Sequence, residues 1–160
     1  MARMASDVAE PDGEADASGA VPPNDLDAEA LVLSHALEHG PVDGLLPKHF
    51  YADANARIYE AVRMLSVRGE PVDVIAVKRE LQRDNRLAQV GGVEYLGMLT
   101  SHIPATAYAE SHALAIRELY RRRVLSDAAL RLRVELRTGA CESGAGWTRF
   151  KELCEELSHA

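Results

Sequence analysis

Two histidines stand four residues apart, at His35 and His39, in a stretch whose apolar spacing predicts a helix. Because residues i and i+4 share one helix face, this spacing could bring two imidazoles to the same metal ion. A closed zinc site needs four ligands, and the sequence offers neither a third ligand nearby nor a His-Glu-x-x-His motif. We therefore interpret the pair as surface side chains and predict no metal and no cofactor.

Other reactive side chains lack the companions that chemistry would require. Cys154 falls on the apolar face of the last predicted helix, so we expect a small buried hydrophobic residue rather than a metal ligand shared with Cys141 or His159. The Ser101-His102 pair is not accompanied by the Gly-x-Ser-x-Gly turn that exposes a hydrolase nucleophile. No catalytic residue is predicted.

A loop for binding nucleoside triphosphates is also missing from these 160 residues. Such a loop needs glycines followed by Lys-Ser or Lys-Thr to hold phosphates and Mg²⁺. None of the three lysines follows a glycine, and Gly91-Gly92 is not followed by Lys-Ser or Lys-Thr. We predict that this stretch of chain is not an enzyme.

Arginines are concentrated late in the chain, where three carboxylates lie among them. The first interpretation is a solvated helix face, the second is a surface for a protein partner, and the third is contact with nucleic acid. The third is the weakest, because the chain carries a net charge of −7 and few aromatic side chains lie between the cations. The arginines are Arg117, Arg121, Arg122, Arg123, Arg131, Arg133 and Arg137.

Composition favours a helical core. Hydrophobic residues make up 47% of the chain and aromatic residues only 5%, so Leu, Val, Ile and Ala must fill the interior. Residues 1–23 are rich in Ala, Asp, Glu, Gly, Ser and Pro, and we expect a disordered acidic leader there that ends at Pro22-Pro23. No apolar block is long enough for a signal peptide or a membrane span, so we expect a cytoplasmic protein.

Residues 24–104 are predicted to form a globular head of about four helices. Asn24 or Asp25 can cap the first helix and Asp73 the third, and Gly40-Pro41 should end the first. The second helix is expected over 54–67 and the fourth over 93–100, before a break at Ile103-Pro104. The expected core contacts are Leu26, Ala30, Leu33, Leu37, Ile58, Val62, Leu65, Ile75 or Val77, Leu81, Tyr95, Leu96 and Leu99.

Residues 105–160 are predicted to form a helical hairpin. No Gly or Pro occurs between 106 and 138, and the apolar stripe there changes phase near 121–123. The change indicates either a kink or a helix that packs on the head first and on another partner afterwards. The first stripe is Ala109, Ala113, Ile116, Tyr120 and Val124; the second is Leu125, Ala129, Leu132 and Leu136; the last helix presents Trp147, Phe150, Leu153, Cys154 and Leu157. An apolar stripe left over on a hairpin predicts association, and we expect a two-fold dimer.

Five segments in this order resemble the N-terminal domain of replicative DNA helicases of the DnaB family. Each segment alone is weak, but together they match a series of independent turns and helix starts over about 22–157. The segments are PPNDLDAEALVLSHAL (22–37), LLPKHFYADANARIYEAVRML (45–65), RGEPVDVIAVKREL (68–81), VGGVEYLGML (90–99) and IRELYRRRVL (116–125).

The resemblance implies an all-α domain that pairs with its neighbour through the hairpin, forms a collar on a hexameric helicase and offers a surface to primase. The implied partners are a second copy, with growth of the dimer into a trimer of dimers, and a primase or replicative helicase; direct nucleic-acid contact would be weak or absent, and no membrane is involved. Together with the apolar stripes, it makes these residues candidates for partner binding: Arg117, Glu118, Arg121, Arg122, Arg123, Leu125, Leu132, Leu136, Trp147 and Phe150.

The sequence departs from this family at Ala160, where the family continues into a RecA-like motor domain. Two alternatives therefore stand beside the interaction module. One is the remnant of a truncated or split helicase gene, and the other is a DNA-binding regulator that uses the arginine-rich helix.

Overall fold

The computed structural model describes residues 21–101, 108–138 and 143–159. Within these ranges the chain forms six α-helices and no β-strand, which confirms the predicted all-α class. The α-helices are α1 (Leu26–His39), α2 (Asp53–Val67), α3 (Val74–Arg83), α4 (Gly92–Ser101), α5 (Ala109–Thr138) and α6 (Ser143–His159), and two short 3-10 helices span Pro47–His49 and Leu87–Val90.

Helix α1 lies at the centre of the head, where it contacts α2, α4 and α5. Its buried face is therefore wider than the single stripe that the sequence predicted. Val32 and Ala36, which that stripe omitted, are fully buried together with Leu33. Leu26 was predicted to face the core but is 49% exposed, because it is the first residue of the helix.

Two predicted helix caps and the predicted end of the first helix are confirmed. The Asp25 and Asp73 carboxylates each accept a hydrogen bond from the backbone N–H three residues further on, at 2.9 and 2.7 Å. Gly40, with φ of 90°, follows the last residue of α1. Of the two alternatives in α3, Val77 is buried and Ile75 is exposed.

Helix α5 is one continuous helix of 30 residues. Its first turns belong to the head, since Ala109, Ala113 and Ile116 are buried and the helix packs on α1. Helix α5 also packs on α6, and we call residues 117–138 of α5 together with α6 the arm. In the described part of the arm, only Gly146 is buried. The phase change of the apolar stripe thus marks the point where α5 leaves the head.

Several expectations fall outside the described residues. They are the leader up to residue 20, the break at Ile103-Pro104, and with it the division between head and hairpin at 104 and 105. None of the helices described here has the length and apolar character needed to cross a membrane.

Candidate interaction surface

Arg123 fastens the arm to the head. Its Nη1 donates to the carbonyl oxygen of Pro23 and its Nη2 to the carbonyl oxygen of His49, both at 2.7 Å. The guanidinium carbon also lies 5.6 Å from the ring centroid of Tyr51 and 5.9 Å from that of Tyr120. Tyr120 and Arg123 are three positions apart on α5, so both side chains reach the head from the same face. One side chain thus joins α5, the segment before α1 and the first 3-10 helix.

Glu29 supports this junction from inside the head. Its carboxylate is 2% exposed and accepts hydrogen bonds from the Tyr51 N–H at 2.5 Å and the Asn55 side-chain amide at 2.8 Å. The Tyr95 hydroxyl donates to the other side of that amide, the Asn55 Oδ1, at 2.6 Å. Glu29 therefore holds the backbone of the residue whose ring flanks Arg123. The sequence predicted only that this acid would favour the helix dipole, so its burial was missed.

Four cations surround His49, and we call Lys48, Arg117, Arg121 and Arg123 the cationic cluster. All four act electrostatically on the His49 imidazole, which lies 5.0 Å from the Tyr120 ring. Burial, and then the repulsion from these cations, lowers the His49 pKa to about 4. The neutral ring accepts a hydrogen bond at Nδ1 from the Leu46 N–H at 3.1 Å. The base of the arm thus places several positive charges near a neutral His49.

Acid should weaken this junction. Because the His49 pKa falls from 6.5 to about 4 on folding, the unfolded chain binds the proton more tightly, and stability is lost as the pH falls from about 6.5 towards 4. We expect a loss of about 2 kcal/mol, less than the full shift would give because solvent screens part of the repulsion. Urea unfolding at several pH values would measure it.

His49→Gln provides the comparison, because glutamine keeps an acceptor for the Leu46 N–H but does not titrate. The variant should lose most of the pH dependence between 6.5 and 4, whereas His112→Gln, outside the cluster, should keep it. An unchanged pH profile in His49→Gln would show that other groups cause the acid sensitivity.

Arg121 and Arg122 pair with a carboxylate of their own helix. Glu118 lies 3.9 Å from the Arg121 guanidinium and 3.3 Å from that of Arg122, on an exposed part of α5. Arg131 and Arg137 are exposed on the arm. Contrary to the expectation from sequence, aromatic rings do accompany the cations, but those rings contact Arg123 within the chain.

The seam of the arm is a groove between α5 and α6. The groove has a volume of about 390 Å³, and Leu132, Phe150 and Leu153 form part of its lining. Leu125 lies further back on α5 and is half-buried, as are Leu132 and Phe150. These apolar residues of the seam are thus less buried than the core residues of the head.

Trp147 was predicted to lie in the seam, and this prediction is wrong because the side chain is 60% exposed. The inward stripe of α6 passes through Gly146 and Phe150, and Trp147 is turned about 100° away from Gly146. The indole instead stacks on the Phe150 ring at 6.0 Å. Cys154, predicted to be buried, is half-buried.

Further apolar side chains of the arm are exposed to solvent. Leu130 and Val134 are four residues apart on one face of α5, and Leu136 lies on a different face of the same helix. Each of the three has about half of its surface exposed. The arm therefore presents apolar groups that neither the head nor its own two helices cover.

His35 and His39, whose spacing raised the question of a metal site, contact each other on α1. The His35 and His39 rings stack at 4.7 Å with an angle of 10° between their planes. Across the described residues, no three His, Cys, Asp or Glu side chains come together as metal ligands would. His102 and Cys141 lie outside the described residues.

Comparison with known proteins agrees with this architecture. The family model "DnaB-like helicase N terminal domain" matches residues 21–118. The replicative DNA helicase DnaB of Geobacillus stearothermophilus is 32% identical over 146 residues, and DnaC of Bacillus subtilis (strain 168) is 31% identical over 145. These alignments cover 88% of this chain but 30% of each relative, so the chain spans under a third of their length.

Two solved structures share the fold. The N-terminal domain of DnaB helicase from Mycobacterium tuberculosis superposes with a TM-score of 0.76 at 30% identity, covering 85% of this chain and 99% of that one. A DnaB-like replicative helicase, whose structure was described with its interactions with primase, gives a TM-score of 0.69 at 20% identity. It covers 84% of this chain and 31% of the helicase, and at that identity it supports the fold alone.

Proposed function

Because the chain belongs to the DnaB-like helicase N-terminal domain family, we propose that it is an interaction module of DNA replication that assembles with copies of itself and binds a primase or a replicative helicase. The chain corresponds to the non-catalytic N-terminal domain of these helicases, and we infer that it hydrolyses no ATP. The family match favours this function over a DNA-binding regulator. A role in replication would place the chain in the cytoplasm.

The exposed apolar side chains of the arm support the proposed assembly. Its exposed apolar residues lie outside the head's core, and such groups usually mark a surface that another protein covers. Arginine and tryptophan, which are enriched at interfaces, lie on the same two helices. We propose that two arms pack against each other in a two-fold dimer, which could then grow into a trimer of dimers. Leu125, Leu132, Leu136, Trp147 and Phe150 supply the apolar contacts of that interface.

Light scattering would test the dimer. We expect a mass in solution of twice the 17.4 kDa chain or a higher multiple. The double variant Leu136→Asp/Trp147→Asp should shift the protein to monomer, because both side chains are exposed on the arm and the variant places charges that would be desolvated in the interface.

Val67→Asp provides the control, because Val67 is 82% exposed on the head and the substitution adds the same charge away from the arm. Val67→Asp should leave the mass unchanged. A wild-type chain that stays monomeric at high concentration would contradict the proposed dimer.

Affinity capture with the host's replicative helicase and primase would test the partner. We expect the wild-type chain to retain at least one of them and the Val67→Asp control to behave alike. Recovery of neither protein would remove the basis for a role in replication and leave the remnant of a helicase gene as the better interpretation.

A further inference from the structure

The groove between α5 and α6 combines an apolar floor with charged rims. Leu132, Phe150 and Leu153 form the floor and are half-buried. Six exposed charged side chains line the same groove, and we call them the rim charges. They are Arg131 and Arg149 together with Asp127, Glu135, Glu152 and Glu156. A segment that filled the groove would have to offer apolar groups to the floor and charges to the rims.

The rim charges are not used by the fold. Within residues 21–101, 108–138 and 143–159, none of the six makes a hydrogen bond or an ion pair. Even if each arginine took one carboxylate, two of the four carboxylates would remain. Glu152 and Glu156 also stand four residues apart on α6, where like charges destabilise a helix. Cations brought to the rims would relieve this repulsion.

The length of the groove fits a short helix. Its lining residues on α5 extend from Val124 to Glu135, and eleven steps of 1.5 Å give about 16 Å, or three helical turns. Apolar residues at every third or fourth position of a helix form one stripe, and such a stripe is what an apolar groove between two helices receives. A third helix lying along α5 and α6 would cover the floor.

The groove faces a different direction from the exposed residues of the proposed dimer interface. Leu136 and Trp147 do not line it. At 100° per residue, Leu136 is turned about 40° in one direction from Leu132, and Glu135 is turned about 60° in the other. Leu132 lies between the two directions and can contact a second copy on one side and a helix in the groove on the other.

We propose that the groove binds a basic amphipathic helix of a partner protein, with an apolar stripe on the floor and lysines or arginines against the rims. The inference rests on the proposed function, because it takes the arm as a surface that another protein covers. It adds the chemistry of the segment that binds. That segment is about three turns long and carries an excess of positive charge.

A second copy of the chain matches the rims less well than such a partner. The part of the arm beyond the head, residues 124–138 and 143–159, has five acidic and five basic side chains. Its two helices therefore bring no excess of cations to a groove that has an excess of carboxylates. The charge complementarity favours a different protein with a basic helix.

A synthetic peptide would test the groove. The peptide has about 15 residues, leucines at every third or fourth position, lysines beside them and a fluorescent label. Its anisotropy is followed on titration with the full chain. At about 0.05 M salt, where charges are weakly screened, we expect a Kd tighter than about 0.1 mM. Weaker binding would overturn the proposal.

Two altered peptides separate the groove from general attraction. One has glutamate in place of each lysine, and the other has serine in place of each leucine. Each should bind at least about tenfold more weakly, because the first loses the charge complementarity and the second loses the apolar contact with the floor. If either bound as tightly as the lysine-leucine peptide, the groove would not be recognising a basic amphipathic helix.

Matched variants of the chain locate the site. Glu152→Gln/Glu156→Gln removes two carboxylates from the rims and should weaken binding of the lysine-leucine peptide at least about threefold. Glu38→Gln/Glu94→Gln removes two exposed carboxylates from the head and should leave the Kd within about twofold. Equal weakening in both variants would show that net charge, rather than the groove, attracts the peptide.

Light scattering with and without the peptide separates this inference from the proposed dimer. We expect the peptide to bind without dissociating the assembly. A dimer that does not bind the peptide would overturn the inference alone, and a monomer that binds it would contradict the dimer alone. If the peptide converted the dimer to monomer, a second copy would be the occupant of the groove and the inference would be wrong.

Discussion

Replacing Glu29 by alanine is expected to lower the free energy of unfolding by about 3 kcal/mol, since buried donors lose a charged acceptor. The carboxylate is 2% exposed and serves the Tyr51 N–H and the Asn55 amide, with the Ala52 N–H at a longer 3.4 Å. Without it, these groups face a small apolar cavity that offers them no partner. Urea unfolding monitored by circular dichroism would measure the loss.

Asp27→Ala is the control for this substitution, because Asp27 lies on the same turn of α1 but is exposed. It should cost no more than about 0.5 kcal/mol. Glu29→Gln should fall between the two, because the amide keeps one acceptor oxygen but turns an NH₂ group towards other donors. If Glu29→Ala were no worse than Asp27→Ala, the buried network would not stabilise the head.

Replacing Arg123 by alanine is expected to cost about 2 to 3 kcal/mol, from two charge-assisted hydrogen bonds and the contacts with two tyrosine rings. Arg123→Lys should recover less than half of this, because an ammonium cannot reach both carbonyl oxygens as the planar guanidinium does. The same unfolding measurement applies.

The neighbouring Arg122 offers a stringent control. Its side chain is 63% exposed and pairs with Glu118 in solvent, so Arg122→Ala should change stability by less than about 0.5 kcal/mol. Similar losses in the Arg122 and Arg123 variants would mean that helix propensity and net charge, rather than the junction, determine the effect.

The helix ends could be predicted from the sequence because local chemistry decides them. Asp25 and Asp73 have the right side chain one position before an apolar run, and Gly40 tolerates the φ that ends α1. The step from head to arm within α5 was also visible, since the apolar stripe changes phase there. Such features depend on residues close together in the chain.

The residues that the sequence could not place depend on contacts between distant segments. Glu29 has the same position in sequence as any first-turn acid, and only the structure shows that Tyr51, just before α2 and 22 residues away, lies against it. Arg123 is indistinguishable in sequence from Arg122, and only its position relative to the head shows that it faces two carbonyl oxygens. Trp147 was misplaced because the inward direction of α6 is set by the small Gly146, which carries no apolar signal.

The shallow burial of the arm also affects how such a protein can change over evolutionary time. Apart from the junction at Arg123, substitutions in the far half of α5 and in α6 remove little core packing, and exposed positions usually tolerate change within about 0.5 kcal/mol. Mutations there can therefore alter which protein is recognised while the head continues to fold. After a gene duplication, two copies could acquire different binding preferences through their arms alone.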